Sequence, residues 1–194
     1  MMKLIKLNAK KVIIGFLNAI LSLSTFFVIR RFLLRVLFRA IVGNKSTVHR
    51  KVKIFDIGSL SIGKHSTINY GCFLDNRGGL DIGDNVNISH CVKIYTMGHD
   101  LDDPFAKLVK GRVQIGSNSW VFPNVLIMPG VTLAEGAVVY PGSVVTKNIP
   151  SYEVWGGSPA KFICHRKRDI KYEASFPVWF AIYILGVVWG FGKD

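Results

Sequence analysis

Several kinds of residue are scarce or absent in this chain, and each absence narrows the class of protein. It has three cysteines, Cys72, Cys91 and Cys164, which is an odd number with no Cys-x-x-Cys spacing. Neither a disulfide framework nor a zinc knuckle fits that pattern, whereas a reduced, cytosolic setting does. Residues 1–55 contain no Asp or Glu, and no Gly-x-Ser-x-Gly motif of a serine nucleophile occurs. Alternation of period two, typical of a β-sandwich strand, is also scarce.

What the chain has instead is a six-residue period of aliphatic side chains. The series with no interruption is Ile115, Val121, Ile127, Leu133, Val139 and Val145. A period of six fits neither an amphipathic helix nor a two-faced strand. It fits a coil of three short strands, each turning one aliphatic side chain inward, so we predict a parallel β-helix of hexapeptide repeats.

An earlier run has the same period and two interruptions. Its members are Ile62, Ile68 and Leu74, followed by Ile82, Ile88 and Ile94. Two extra residues lie between Leu74 and Ile82, and a longer break runs from Thr96 to Arg112. Coils of eighteen residues over 57–150 give about five coils stacked at ~4.8 Å. A long break inside a regular stack is usually functional.

The first part of the chain is basic and apolar. Residues 1–55 hold twelve Lys or Arg, which is +12 of the net charge of +13. Val12 to Ile29 is uncharged but short for a bilayer span, with cations on both sides. Arg31, Arg35 and Arg39 recur every four residues among apolar ones, which is typical of a helix lying in a membrane interface. We expect residues 1–45 to be a membrane-associating helical segment rather than a nucleic-acid-binding arm or a cleaved signal peptide.

The other end has a similar composition. Phe176 to Gly192 is uncharged and contains Trp179, Tyr183 and Trp189, after a basic cluster. Tryptophan and tyrosine favour the headgroup level, and basic residues attract anionic lipids. We expect residues 164–194 to form a basic linker and an apolar helix that docks, monotopic or re-entrant, on the cytoplasmic membrane face. Packing of the two ends on each other or on a sister subunit is the alternative.

His99 is the one candidate for acid–base chemistry at the long break. It lies where the regular repeats give way to the loop Asp100–Arg112. Imidazole titrates near neutrality, so a well-placed one takes a proton from a substrate hydroxyl at physiological pH. The alternative is a solvated loop histidine with no catalytic role.

Six short sequence motifs follow one another along residues 57–163. They are Ile82-Gly83-Asp84-Asn85-Val86, Gly98-His99-Asp100 ahead of Asp103-Pro104-Phe105, Ile115-Gly116 with Trp120, Pro129-Gly130-Val131-Thr132, residues 142–150 and Gly157-Ser158-Pro159-Ala160-Lys161. With these elements the chain resembles the hexapeptide-repeat acyltransferases, which include galactoside, maltose and serine acetyltransferases and the colanic-acid-type polysaccharide O-acetyltransferases.

The resemblance implies an all-β core at residues 46–163, wound as a left-handed parallel β-helix against the usual handedness of crossovers. It also implies a homotrimer with active sites between neighbouring subunits, acetyl-CoA as donor and no metal. His99 matches the family's general base, which deprotonates the acceptor hydroxyl as its oxygen attacks the thioester. No enzyme nucleophile is required.

For the acceptor, the resemblance places Asn69 beside the sugar hydroxyl. An amide both donates to and accepts from a hydroxyl, although a structural turn asparagine fits the position equally. The family has an acidic residue where this chain has Arg77, so the acceptor contacts must differ. Asp75 is the nearest carboxylate, and Arg77 suits an anionic acceptor.

For the donor, the resemblance places pantetheine near Trp120. The distal half of CoA is expected around Pro141, Gly142, Thr146 and Lys147, and its phosphates near Lys161 and Arg166. One departure concerns the oxyanion. The family's backbone N–H donor falls at Pro123, which has no N–H. Either a neighbour such as Asn124 substitutes, catalysis is slower, or the register differs by one residue.

The leading hypothesis is therefore an acetyl-CoA-dependent O-acetyltransferase of a glycan, glycolipid or lipid-linked saccharide at the cytoplasmic membrane face. A non-catalytic partner of a membrane glycan-assembly complex is one alternative. A zinc enzyme of the β-helical carbonic anhydrase type is another, although only His65, His90 and His99 lie in the coils, without the histidine pair typical of that family. The acceptor's identity and the acyl chain length are left open.

Overall fold

The computed structural model describes residues 2–175, which form two helices and a series of short strands. In chain order they are α1 (Met2–Leu23), α2 (Phe27–Val36), β1 (Ile41–Val42), β2 (Thr47–Val48), β3 (Lys53–Ile54), β4 (Leu60–Ile62), β5 (Thr67–Ile68), β6 (Phe73–Leu74), β7 (Leu80–Ile82), β8 (Asn87–Ile88), β9 (Lys93–Ile94), β10 (Met97–His99), β11 (Leu108–Lys110), β12 (Val113–Ile115), β13 (Trp120–Val121), β14 (Leu126–Ile127), β15 (Thr132–Leu133), β16 (Val138–Val139), β17 (Val144–Val145), β18 (Glu153–Gly157) and β19 (Ala160–His165).

The strands pair along three faces of a prism, all in parallel except β18 and β19, which are antiparallel. The first face is β1-β4-β7-β12-β15, the second β2-β5-β8-β13-β16-β18-β19, and the third β3-β6-β9-β14-β17. Each six-residue aliphatic position stacks on its equivalent one coil away, as in Ile62 against Ile82 and Ile82 against Ile115. These side chains are buried in one continuous core. The predicted parallel β-helix is confirmed, and its first strand begins at Ile41, shortly before the expected bounds of 46–163.

Arg30 joins the two helices to the open end of the prism. Its guanidinium is fully buried and donates to the carbonyls of Leu21 and Ser24 at the end of α1. It also donates to the carbonyls of Val48 and His49 in the first coil. Burial, and secondarily Arg50, lowers the pKa of Arg30 to about 10, so it stays charged at neutral pH. Four carbonyls therefore replace the water that the charge has lost.

The other two edges of the first coil are closed in the same way. The Asn18 amide of α1 accepts from the N–H of Ile54 and donates to its carbonyl, 2.9 and 2.8 Å away. Arg35 of α2 donates through Nε to the carbonyl of Val42 at 3.1 Å. An open strand edge is a template for unwanted pairing, and a solenoid needs a cap at its end. The helical segment therefore forms that cap.

This arrangement corrects the cationic stripe expected at Arg31, Arg35 and Arg39. Helix α2 ends at Val36, so Arg39 lies beyond it with a positive φ of 51°. Arg35 is turned toward the coil by its bond to Val42. Four-residue spacing predicts that the arginines share one helix face. In the structure, Arg30 and Arg35 instead donate to carbonyls at the open end of the first coil, which have no strand partner among the described residues.

The outer sides of α1 and α2 remain apolar and exposed. Their exposed large side chains include Ile5, Val12, Phe16 and Leu23 on α1 and Val28, Ile29, Phe32 and Val36 on α2. Within the described residues, no helix has the length and apolarity required to cross a bilayer. The C-terminal helix expected after residue 176 lies outside the described residues.

Two cysteines, Cys72 and Cys91, take small-residue positions within the repeats, but they differ in exposure. Cys72 is buried in the core, where desolvation raises the pKa of its thiol to about 12. Cys91 is exposed at a turn with a φ of 58°, and Cys164 is exposed on β19. A small residue in the repeat can therefore be either buried in the core or exposed at a turn. The six-residue period alone does not distinguish these two positions.

His49 makes stability depend on pH. Burial, followed by the nearby charges of Arg30 and His90, lowers the pKa of His49 to about 4. An unfolded histidine titrates near 6.5, so the unfolded chain binds the extra proton between these values. Stability is fully present above pH 6.5, and we expect the free energy of unfolding to fall by ~3 kcal/mol as the pH falls to 4.

Urea unfolding at several pH values between 7 and 4 measures this loss. The His49→Phe variant, whose ring keeps an apolar contact with Phe27, is the control and should have a flatter pH profile. A wild-type profile no steeper than the variant's would contradict the assignment to His49.

Candidate active site

His99 lies on a β-hairpin that leaves the prism at the corner between the third and first faces. Strands β10 and β11 pair in antiparallel register, with His99 opposite Leu108. The segment expected to be a plain loop is therefore paired at both ends, with a tip at residues 100–107. His99 is exposed, and so are Leu101 and Phe105 at the tip, at 92% and 91%. The imidazole is therefore exposed on the hairpin and does not belong to the aliphatic core.

The hairpin also fixes which ring nitrogen of His99 carries the proton. Nδ1 lies 2.6 Å from the carbonyl oxygen of Ala106. A carbonyl only accepts, so Nδ1 must donate, and Nε2 of the neutral ring keeps its lone pair. The partner of one ring nitrogen commonly determines the chemistry of the other. Nε2 is therefore the atom able to take a proton.

Asp75 and Arg77 lie together at the root of this hairpin. Nε and Nη2 of Arg77 donate to the two carboxylate oxygens of Asp75 at 2.8 and 3.0 Å. Asp75 is fully buried and also binds Thr96, whose N–H donates to Oδ2 and whose hydroxyl donates to the Asp75 carbonyl. Burial opposes ionisation, but the bonds and charge of Arg77 prevail and the pKa of Asp75 lies below its usual value. Asp75 therefore positions the segment that leads into His99.

Gly78 makes the same root tight. A Cβ at this position would lie 2.2 Å from the Thr96 carbonyl oxygen. The Gly78 N–H also donates to the Thr96 hydroxyl at 2.8 Å. The two extra residues before Ile82 thus bring a backbone without a side chain against the start of the hairpin. Sequence reasoning identified the insertion but not its contact with Thr96.

Asn69 lies at a different corner, after β5, between the second and third faces. Its amide is largely buried and donates to the Ile88 carbonyl at 3.1 Å and to Asn87 Oδ1 at 3.3 Å. Within residues 2–175 no hydrogen bond joins Asn69 to His99. One protomer therefore does not bring the predicted acceptor amide and the predicted base into direct contact.

The second face carries an aromatic strip that includes Trp120. Its ring stacks on Phe122, with centroids 5.9 Å apart, and meets the edge of Tyr172 at 5.3 Å. Phe122 in turn contacts Tyr140 at 6.0 Å, immediately before Pro141 and Gly142. An apolar strip of this kind suits a flexible, largely apolar arm such as pantetheine. The sequence identified Trp120 but not its three aromatic neighbours.

Arg166 reaches this strip through the chain that follows β19. Its Nη1 donates to the Asn118 carbonyl at 2.8 Å, its Nη2 donates to the Tyr172 hydroxyl, and its guanidinium lies 5.5 Å above the Tyr172 ring. The chain after Tyr172 continues across the second face, where the Ala174 carbonyl accepts from the Thr67 hydroxyl at 2.6 Å. Sequence spacing gave no signal for this return.

The remaining predicted donor residues are spread over other positions. Lys161 is exposed on β19, opposite Gly156. Thr146 and Lys147 are exposed after β17, at the corner from which the His99 hairpin leaves two coils away. The structure therefore brings together Trp120 and Arg166, and places Thr146 and Lys147 at a separate corner of the same protomer.

The oxyanion donor has no replacement in the Asn124 backbone. The N–H of Asn124 donates to the His90 carbonyl at 3.0 Å as part of the coil-to-coil ladder. The Pro123 carbonyl likewise accepts from Gly142 at 3.0 Å. Both backbone groups are engaged in holding the coils together, so this substitute is not supported. Among the described residues there is also no cluster of three His, Cys, Asp or Glu side chains suited to a metal ion.

Comparison with known proteins agrees with this fold. Residues 112–147 match the family described as "Bacterial transferase hexapeptide (six repeats)". The galactoside O-acetyltransferase of Escherichia coli (strain K12) is 34% identical over 128 residues, which are 64% of this chain and 63% of that protein. The chain spans about 60% of the length of the curated relatives it matches.

Two solved structures extend the likeness. A hexapeptide-repeat-containing acetyltransferase of Vibrio cholerae, complexed with acetyl-CoA, has a TM-score of 0.76 and 28% identity and covers 84% of this chain and 90% of its own. A maltose O-acetyltransferase of Clostridium difficile 630 has a TM-score of 0.76, 28% identity and coverage of 84% and 89%. The predicted resemblance to hexapeptide-repeat acetyltransferases is confirmed, as is the left-handed β-helix fold class.

Proposed function

We propose that this chain is an acetyl-CoA-dependent O-acetyltransferase whose acceptor is a hydroxyl of a glycan, glycolipid or lipid-linked saccharide. The observation that carries the proposal is His99, exposed on a hairpin with Nδ1 committed to the Ala106 carbonyl. That bond leaves Nε2 as a base in the tautomer that hydroxyl deprotonation needs. The similarity to acetyltransferases of the same fold supplies the donor class.

In the proposed reaction Nε2 of His99 accepts the acceptor's hydroxyl proton as the oxygen attacks the thioester carbonyl. A tetrahedral intermediate forms, and its collapse breaks the carbon–sulfur bond. The imidazolium returns the proton to the departing thiolate, so the products are an acetyl ester and CoA with its thiol. No covalent enzyme intermediate is needed, which agrees with the absence of a nucleophile motif.

The donor is proposed to lie along the aromatic strip of Trp120, Phe122 and Tyr140. Its phosphates would meet the cations at Lys147, Lys161 and Arg166, since phosphate recognition by lysine needs charge more than a fixed geometry. Arg166 already lies within hydrogen-bonding distance of Tyr172 and the Asn118 carbonyl, so a bound phosphate would compete with these contacts.

A homotrimer is proposed because one protomer separates the pieces of the site. His99 lies at the corner between the third and first faces, whereas Asn69 and Gly142 follow strands of the second face. The exposed apolar side chains of Leu101 and Phe105 at the hairpin tip need a covering surface. A neighbouring protomer would provide that surface and bring its own second or third face toward His99.

Membrane attachment at the cytoplasmic face is proposed from the outer side of α1 and α2. Phe16 and Phe32 are 67% and 63% exposed, and residues 1–55 carry only positive formal charge. We expect the full-length protein to float with vesicles containing anionic lipid, less so at high salt, because surface charges are screened.

The Phe16→Glu/Phe32→Glu variant should lose most of this vesicle binding. Phe162→Glu is the matched control, because Phe162 is also half-exposed but lies on β19. Equal flotation of all three proteins would contradict the assignment of the membrane surface to α1 and α2.

The acetyl transfer itself is tested by mass spectrometry of surface glycans and lipid-linked saccharides from cells with and without the protein. A mass difference of one acetyl group in a saccharide supports the proposal and identifies the acceptor. No difference, together with no CoA binding by calorimetry, would refute it in favour of a non-catalytic role.

A further inference from the structure

A groove separates α1 from the third face of the first two coils. This open groove has a volume of about 680 Å³, within the usual range of small-molecule sites. Its helix side includes Ile14, Gly15 and Ala19, and its floor is formed by Phe55 and Phe73 with the strand that precedes Phe55. Most of this lining is apolar. The groove therefore has the size and surface of a site for an apolar chain.

Cations surround this apolar groove. Lys11 of α1 and Lys51 and Lys53 of the first coil are exposed and line it. Asp56, the first acidic residue of the chain, binds Lys10 at 2.6 Å. Because that carboxylate already has a cation, the three lining lysines give the groove a net positive rim. An amphiphile with an anionic head and an apolar tail complements both features.

The groove is continuous with the hairpin that carries His99. The ring centroids of Phe55 and Phe73 are 5.5 Å apart, and those of Phe73 and Tyr95 are 5.3 Å apart. Tyr95 precedes the hairpin, and its separation of four residues from His99 corresponds to about 13 Å of extended chain. Arg77 lies 4.1 Å above the Phe55 ring at the same end. An aromatic path thus runs from the groove toward the base.

We propose that this groove binds the phosphate-bearing lipid tail of the acceptor, with the tail between α1 and the third face and the phosphate among Lys11, Lys51 and Lys53. The saccharide on that phosphate would then extend past Phe73 and Tyr95 toward His99. The second half of the proposal rests on the acetyltransferase function proposed above. The first half, that the groove binds a lipid phosphate, does not depend on the acetyltransferase function.

Gly15 offers a direct test, because a Cβ there meets no atom within 4 Å and a larger side chain would project into the groove. The matched control is Ala9→Phe, an exposed small residue on the same helix that does not line the groove. The probe is farnesyl phosphate, titrated against full-length protein in a neutral detergent, with farnesol and inorganic phosphate as separate ligands.

We expect farnesyl phosphate to bind at least tenfold more tightly than farnesol or inorganic phosphate. Gly15→Phe should weaken it at least tenfold, and Ala9→Phe should not. Lys51→Gln/Lys53→Gln should also weaken it, whereas Lys45→Gln/Lys64→Gln should not. Lys45 and Lys51 are well matched, since both are exposed turn residues with φ near 58° and 57°.

Several results would overturn the proposal. One is equal affinity for farnesol and farnesyl phosphate, which would mean that the groove does not recognise the phosphate. Another is unchanged binding in Gly15→Phe. A third is tighter probe binding on removal of residues 176–194, which would assign the groove to the chain's own C-terminal segment. If Gly15→Phe instead abolished flotation with phosphatidylglycerol vesicles, the groove would be part of a general bilayer surface.

Failure of the enzymatic proposal has a different signature. Normal farnesyl phosphate binding without acetyl transfer to any lipid-linked saccharide would leave the groove in place and refute the reaction. If both hold, Gly15→Phe should raise KM for a lipid-linked acceptor with little change in kcat for a soluble sugar. A structural defect at Gly15 would instead lower kcat for the lipid-linked acceptor and for the soluble sugar alike.

Discussion

The His99→Ala variant is expected to lose acetyl transfer by a factor of 10² to 10⁴ in kcat/KM, the usual contribution of a positioned general base. The imidazole is exposed on the hairpin and contributes nothing to the aliphatic core, so the fold should be retained. Only the unprotonated Nε2 can accept the hydroxyl proton, and the Ala106 carbonyl already holds the proton on Nδ1.

His99→Gln sharpens this test. Glutamine keeps an N–H donor for the Ala106 carbonyl but provides no basic nitrogen, so the hairpin should be preserved and the activity should still be lost. His165→Ala is the matched control, since His165 is also exposed but lies at the end of β19. Rates measured by thiol release from acetyl-CoA, with unchanged circular dichroism, give the readout. An alanine variant retaining more than a tenth of the wild-type rate would remove His99 from the chemistry.

The Arg30→Ala variant is expected to lower the free energy of unfolding by about 4 kcal/mol, because carbonyls at the end of α1 and in the first coil lose their donor and a cavity remains. The affected carbonyls belong to Leu21, Ser24, Val48 and His49. Arg30→Lys should recover part of the loss, since a single ammonium cannot match the planar guanidinium at all four oxygens. Denaturant unfolding under matched protein concentration measures both.

Arg31→Ala is the control for Arg30. Arg31 is the adjacent residue on α2 and is partly exposed, so its replacement should change stability by no more than about 0.5 kcal/mol. If Arg30→Ala costs less than about 1 kcal/mol, the guanidinium is not the group that fastens the helical cap. Protease digestion adds a local readout, since loosened helices should be cleaved between α1 and α2.

The six-residue period was sufficient to predict the coil because the same rule acts in every turn. Each inward side chain stacks on its counterpart, so a break in the period appears at once in the sequence. The first coil carried the signal as well, at Val42, Val48 and Ile54. Of these positions, only Val42 lies before the expected bounds of 46–163, because it is surrounded by the basic and apolar residues of the helical segment.

The candidate site was predictable only where chemistry depends on residue type. His99 could be named because few side chains titrate near neutrality, and Trp120 because of the resemblance. The contact of Gly78 with Thr96 and the return of Tyr172 onto Trp120 join residues from separate coils or from beyond the last coil. No spacing along the chain encodes these contacts.

The sequence by itself determined the coil, its core and the two interruptions, because stacking in register repeats one local rule. Only the tertiary structure decided that the basic helices cap three strand edges and that Ala106 sets the tautomer of His99. It alone also revealed the groove beside α1. These features arise where backbone groups without a strand partner meet side chains distant in sequence, and the need to satisfy buried polar groups selects the contacts.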